Sequence, residues 1–299
     1  MNYLHNEKEI FNDIILAASR SLGINSAIVE KDYYVTLLLK NIIEKNSDVI
    51  FKGGTSLSKC YKVINRFSED IDLGLNVNKA TEGMKKSLKR DILNAIDDLN
   101  FKLDNADDIR TRMDFNRYQI TYPVSETISF IKPYLYIETA VFLKPFPYEI
   151  KTADSYIYRF LKDANHKEII DKYNLNPFEI KVQSLERTFI DKIFAIGDYY
   201  LTNNITGHSR HLYDLYKIMP MIKFDDDFYA LFNEVKEIRK SDSACPSAKA
   251  NQNIIKLLKE IHDSDYFKSD YTNVTKGLLF DDTQYDSVKD SLKSITEIF

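Results

Sequence analysis

The stretch FKGGTSLSKCYKVINRFSEDIDLGL, from Phe51 to Leu75, decides how this chain is read. DVIFKGG is a short β-branched and aromatic run stopped by Gly53 and Gly54, which predicts a strand. TSLSKCYKVI then reads as a helix, because Leu57, Cys60, Tyr61 and Ile64 recur at i, i+3, i+4 and i+7. EDIDLGL alternates strictly, with Ile71, Leu73 and Leu75 on one face and Asp70 and Asp72 on the other. The expected unit is strand, glycine turn, helix, strand.

Each piece of that unit has a chemical reading and a plain one. Glycine lets a backbone approach a phosphate closely, and a helix start offers free N–H groups. Thr55 and Ser56 add hydroxyls at that point. A glycine pair alone is usually just a turn, and no Gly-Lys-Ser/Thr follows as in a Walker loop. Asp70 and Asp72 point the same way along the strand, so their charges repel. A divalent cation relieves this, since Mg²⁺ is commonly held by one or two carboxylates plus substrate phosphates. On a solvated strand face the same pair would carry no meaning. The apolar opposite face and the upstream glycine turn together favour a site.

Working outward, Ile10–Leu22 is expected to be a helix. A second follows over SAIVEKDYYVTLLLKNI, with Ser26 as its N-cap and Tyr33, Leu37 and Ile42 at helical spacing. Lys79–Leu99 reads as a helix, and RYQITYPV and SFIKPYLYIETAVF read as strands. From about Ile169 the pattern is almost wholly helical. The expected fold class is α+β: a mixed sheet with flanking helices over 1–168, then a mainly helical domain over 169–299.

The bulk numbers exclude several classes. With 44 % hydrophobic and 29 % charged residues over 299 positions, a sizeable core is available without staples. Two cysteines, Cys60 and Cys245, stand far apart, which argues against a disulfide scaffold or a thiolate zinc site. His208 and His211 lack a second ligand pair at zinc spacing. The first residues carry acids where a signal peptide needs basic ones, and no run approaches a membrane span. A cytoplasmic protein without membrane contact is expected. The net charge of −4 is no nucleic-acid footprint by itself. Residues 221–299 hold 11 Lys and Arg against 15 Asp and Glu, so the whole excess lies there. Lys79, Lys85, Lys86, Lys89, Arg90, Arg110, Arg112 and Arg117 form short basic stretches that read first as solvated faces.

Two positions in the later half stand out. On the helix from Leu185, Lys192 falls within the arc of Leu185, Phe189, Ile193 and Ile196, while Arg187 and Asp191 fall outside it. A lysine on an apolar face either snorkels to the edge or reaches an anion such as a phosphate. Thr188 shares that face. In RHLYDLYKI, Asp214 lies off the apolar face, with Arg210 and Lys217 at pairing distance along the helix, so a surface ion-pair helix is the plain reading.

Gly53-Gly54-Thr55-Ser56-Leu57 with Arg66-Phe67-Ser68-Glu69-Asp70-Ile71-Asp72-Leu73 resembles the signature of the nucleotidyltransferase superfamily. In particular it resembles the AbiEii/AbiGii-type toxins of type IV toxin–antitoxin and abortive-infection systems. IVEKDYYV at Ile28–Val35, LERTFIDKIFAIGDYY from Leu185 and RHLYDLYKI from Arg210 extend the likeness over roughly Ile28 to Ile218. The resemblance implies that Gly53, Gly54 and Thr55, with Ser56 beside them, form the triphosphate-binding turn. It makes Asp70 and Asp72 metal ligands for Mg²⁺ or Mn²⁺, with Glu138 as candidate third carboxylate. It assigns Lys192 to the triphosphate, Thr188 to the same face, and Asp214 and Arg210 to the active site. Ser68 would share the Asp70 face if the strand extends that far, where a phosphate would oppose the metal. The implied activity is transfer of a nucleoside monophosphate from an NTP to RNA, with tRNA the leading acceptor and a separately encoded antitoxin as partner. Two alternatives stay open: a small-molecule, antibiotic-type nucleotidyltransferase, and a non-catalytic nucleotide- or partner-binding module.

Overall fold

The computed structural model describes residues 3–299 except 78, 112, 125–131 and 143. Arg112 and the first three residues of the predicted strand SFIKPYLYIETAVF therefore lie outside the described residues.

Two compact units emerge, one of 1–61 with 68–182 and the other of 62–67 with 183–299. The first opens with helices α1 (Lys8–Leu22) and α2 (Ser26–Lys45). Strand β1 (Val49–Lys52) runs into a short helix α3 (Gly53–Ser56), which continues as a π turn over Leu57–Tyr61. Next come β2 (Ile71–Leu75), α4 (Glu82–Asp98), β3 (Lys102–Leu103), β4 (Phe115–Thr121) and β5 (Tyr134–Ala140). The unit closes with β6 (Tyr148–Ala153), α5 (Tyr156–Asp163), α6 (Lys167–Lys172) and β7 (Phe178–Gln183).

These strands form one mixed sheet in the order β3-β4-β5-β2-β1-β7-β6. β1 is antiparallel to β2, while β2 runs parallel to β5 and β1 parallel to β7. The central strands bury one face: Phe51, Ile71, Leu73, Leu135 and Ile137 are all fully buried. Against them packs α2, where Val29, Tyr34, Val35, Leu38, Leu39 and Ile42 join the same core. A helix this apolar on most sides gains from burial rather than from an amphipathic stripe. Its N-cap is Asn25, not Ser26: the Asn25 side chain accepts from the Ala27 amide at 2.9 Å. Both residue types cap well, and the one placed before the first turn wins.

The second unit is helical: α7 (Leu185–Leu201), α8 (Arg210–Ile218), α9 (Asp226–Lys240), α10 (Ile254–Asp263), α11 (Lys268–Asn273) and α12 (Tyr285–Ile298). The segment 62–67 belongs to it by hydrogen bonding, since Phe67 donates to Leu278 O and Phe280 to Asn65 O. The helical pattern expected from Ile169 is broken by β7, which pairs with β1 and so belongs to the sheet. Both cysteines are free and buried. Among the described residues no helix is long and apolar enough to cross a membrane.

Candidate active site

In the first unit the strand register assembles a charged row. Lys52 stands opposite Asp72, Asp72 beside Glu138, and Glu138 opposite Arg117, across four neighbouring strands. Cross-strand partners share a face of the sheet. The row therefore places two carboxylates, Asp72 and Glu138, side by side between two cations, with Asp70 immediately before β2. β2 covers only the IDLGL part of EDIDLGL: Ile71, Leu73 and Leu75 are buried and Asp72 keeps partial exposure, while Asp70 stands immediately before the strand.

The glycine turn sits on this row. Gly53 has φ +75°, a conformation that side chains disfavour, and a Cβ there would come 1.8 Å from Asp72 Oδ2. Residue 53 is thus glycine for two reasons, and its backbone touches the carboxylate that the strand presents. Thr55 and Ser56 are fully buried. Ser56 donates to Gly53 O at 2.8 Å, and Thr55 Oγ1 and Ser68 Oγ share a hydrogen bond at 3.0 Å. These hydroxyls brace the turn from inside instead of opening to solvent. Ser68 precedes β2, which begins only at Ile71, so it does not extend the Asp70 face as a strand residue.

Glu138 is engaged: Arg117 donates to its Oε1 from Nε at 2.7 Å and from Nη2 at 2.6 Å. Among the described residues no group of three or more His, Cys, Asp or Glu side chains is arranged to hold a metal ion. Two hard carboxylates on one face, next to a bare backbone turn, nevertheless fit a Mg²⁺-type ion. That ion takes one or two carboxylates and completes its shell with water and substrate oxygens rather than an all-protein cage. Of the other basic residues, Lys85 sits on Asp114, Lys89 on Ile109 O and Arg90 on Asp91.

The second unit holds its own buried polar cluster. Asp214 is fully buried and accepts two bonds from Arg66, Nε at 2.7 Å and Nη2 at 2.8 Å, and one from Lys192 Nζ at 2.6 Å. The surface ion-pair reading of α8 is thus overturned: Lys217 pairs with Asp281 instead. Lys192 is buried, as its place on the apolar arc predicts, but its ammonium meets a carboxylate rather than the helix edge. Arg187, expected outside that arc, is buried too and is paired with Asp191. Two cations share one carboxylate, and this sets the titrations. Burial alone would raise the Asp214 pKa, but Arg66 and Lys192 outweigh it and hold the group well below the carboxylate range. Burial depresses the Lys192 pKa, and Arg66 and Arg210 add to the shift against Asp214. His211 is also held far below the usual range by burial, Lys192 and Arg210. Thr188 is buried and accepts from Gln183 Nε2 at 3.2 Å, while Arg210 opens α8.

Arg66 belongs to the RFSED block, which carries no local sign of its partner. Its bond to Asp214 spans 148 positions, and no local pattern reports such a partner. Lys31 and Asp32 fall within IVEKDYYV, a block that the resemblance covers without giving either residue a role. Lys31 is fully buried and pairs with Glu69, and Asp32 Oδ1 accepts from Lys59 at 2.5 Å. A charged pair inside a helix that is apolar on most sides was the available signal.

A mixed sheet carrying aspartates beside a glycine turn is the arrangement that the resemblance to nucleotidyltransferases implies. The chain belongs to the family described as nucleotidyl transferase AbiEii toxin, type IV toxin–antitoxin system, which matches residues 37–293. The protein is accordingly a nucleotidyltransferase of the toxin class. The match runs past Ile218, so the C-terminal helices belong to the family pattern as well. The structure is similar to MenT4, the nucleotidyltransferase toxin Rv2826c from Mycobacterium tuberculosis H37Rv. The TM-score is 0.53 at 14 % identity, over 95 % of this chain and 88 % of that one. No curated protein matches the chain in sequence.

Proposed function

We propose that this enzyme moves a nucleoside monophosphate from an NTP to an RNA acceptor, tRNA foremost, and so arrests growth unless a cognate antitoxin restrains it. The observation that carries the reading is the contact between the Gly53 backbone and the Asp72 carboxylate. A triphosphate next to a side-chain-free turn and two carboxylates needs its charge neutralised there. Mg²⁺ or Mn²⁺ bound by Asp70 and Asp72, with Glu138 alongside, supplies that neutralisation. The chain's own part is to hold the triphosphate against the Gly53-Gly54 turn and to align the acceptor hydroxyl. The hydroxyl oxygen bonds to the α-phosphorus as the bond to the bridging oxygen breaks. Pyrophosphate leaves, and a carboxylate of the row takes the hydroxyl proton. Positioning and electrostatics supply most of the rate.

The test is to incubate the protein with each NTP labelled at the α-phosphorus, Mg²⁺, and total tRNA or a small-molecule pool. Label in tRNA that disappears in Asp70→Ala supports the proposal. Label only in small molecules favours the antibiotic-type activity, and NTP binding without transfer favours a binding module.

A further inference from the structure

Adjacent residues of α2, Lys31 and Asp32, fasten both halves of the candidate site from behind. Lys31 has no exposed surface. Its ammonium pairs with Glu69 and donates to the Lys132 carbonyl at 2.7 Å. Glu69 immediately precedes Asp70, and Lys132 lies two residues before β5, the strand that carries Glu138. β2 and β5 are parallel neighbours, so one ammonium ties together the entering ends of the two strands that carry Asp72 and Glu138, with Asp70 at the entrance to the first. Asp32 does the matching work for the glycine turn. Its Oδ1 accepts from Lys59, on the π turn that follows Gly53–Ser56, and its Oδ2 accepts from the Tyr156 amide at 2.8 Å. Lys59 also donates to Thr36 one turn further along α2, at 2.6 Å.

We propose that Lys31 is a positioning residue for the carboxylate row: it sets where Asp70 and Asp72 stand relative to Glu138, and Asp32 sets the glycine turn against them. The proposal rests on reading Asp70 and Asp72 as metal ligands. A buried ion pair is weak grounds for stability alone, because desolvation offsets much of the attraction. Such a pair is better explained by the geometry it fixes. Groups that orient metal ligands without touching the metal typically change metal affinity about 10–100-fold when removed.

The experiment measures Mn²⁺ binding to the full chain by electron paramagnetic resonance, with the metal alone and no turnover. Wild type is compared with Lys31→Met, Lys31→Arg, Asp70→Ala and Leu38→Ala. Leu38→Ala opens a cavity on the same helix and touches neither carboxylate. The expected result is a dissociation constant raised about tenfold or more in Lys31→Met. Lys31→Arg should recover most of it, and Leu38→Ala should bind as wild type despite lower thermal stability. If Lys31→Met does not fold, Glu69→Gln carries the test and should weaken Mn²⁺ in the same direction. Wild-type affinity in a folded Lys31→Met or Glu69→Gln overturns the inference and leaves the metal reading standing. Equal binding by wild type and Asp70→Ala overturns the metal reading, and the inference with it.

Discussion

Gly53 stands so close to Asp72 that a single added carbon on residue 53 would lie 1.8 Å from Oδ2. The glycine also adopts φ +75°. Both demands fall on one residue, which joins the turn and the carboxylate row into one element. Gly53→Ala should therefore abolish nucleotidyl transfer while Gly23→Ala, where a Cβ meets nothing within 4 Å, should not. Since Gly23 also has φ +65°, the two variants share the backbone penalty and differ in the clash. Transfer rate and melting temperature measured side by side separate the two effects.

Asp70→Asn and Asp72→Asn should each lose more activity than the roughly 10–100-fold typical of residues behind metal ligands. They should not lose stability in metal-free buffer. Relieved repulsion from neighbouring carboxylates offsets lost attraction to nearby cations such as Lys52 and Arg117, so the melting temperature should change little. A fall in melting temperature alongside the lost activity would mean that the aspartates serve the fold.

Glu138→Gln should raise the Mg²⁺ concentration needed for half-maximal transfer and cost little stability. Its partner Arg117 is largely exposed, and exposed pairs contribute about 0–1 kcal/mol. A titration of rate against Mg²⁺ for wild type and variant checks this.

Asp214→Ala should be among the most destabilising substitutions in the second unit, by about 3–5 kcal/mol, because it leaves Arg66 and Lys192 buried without their anion. Lys192→Met should cost less, since Arg66 keeps both bonds to Asp214. Equilibrium unfolding in denaturant reads both. The pH dependence follows from the depressed Asp214 pKa. A carboxylate with a lowered folded pKa stabilises fully above its unfolded value of about 3.9, and that stability is lost as pH falls below it. Wild type should therefore lose stability in acid more steeply than Asp214→Asn.

Much of the first unit was legible because its signals are local. The run DVIFKGG and the alternation of EDIDLGL mark β1 and β2, but β2 begins at Ile71, so Asp72 lies on the strand and Asp70 just before it. Three strands were missed. Tyr148–Ala153 and Lys102–Leu103 lie at the two edges of the sheet, where burial is too partial to mark a pattern. Phe178–Gln183 is a short strand between helices. Lys192 was visible as a charge within an apolar arc, but its partner was not. The surface-pair reading of Asp214 fails because its i−4 and i+3 neighbours offer ready pairs, while the partners it has come from residues 66 and 192. Pairings over such separations leave no period in the sequence.

The most direct test of the central claim uses two preparations of one NTP, labelled at the α- or at the γ-phosphorus, with Mg²⁺ and total tRNA. The account predicts that α-label enters RNA, that γ-label leaves as pyrophosphate, and that both events vanish in Asp72→Asn. Label from the γ-position in the acceptor, or undiminished α-transfer by Asp72→Asn, would contradict it.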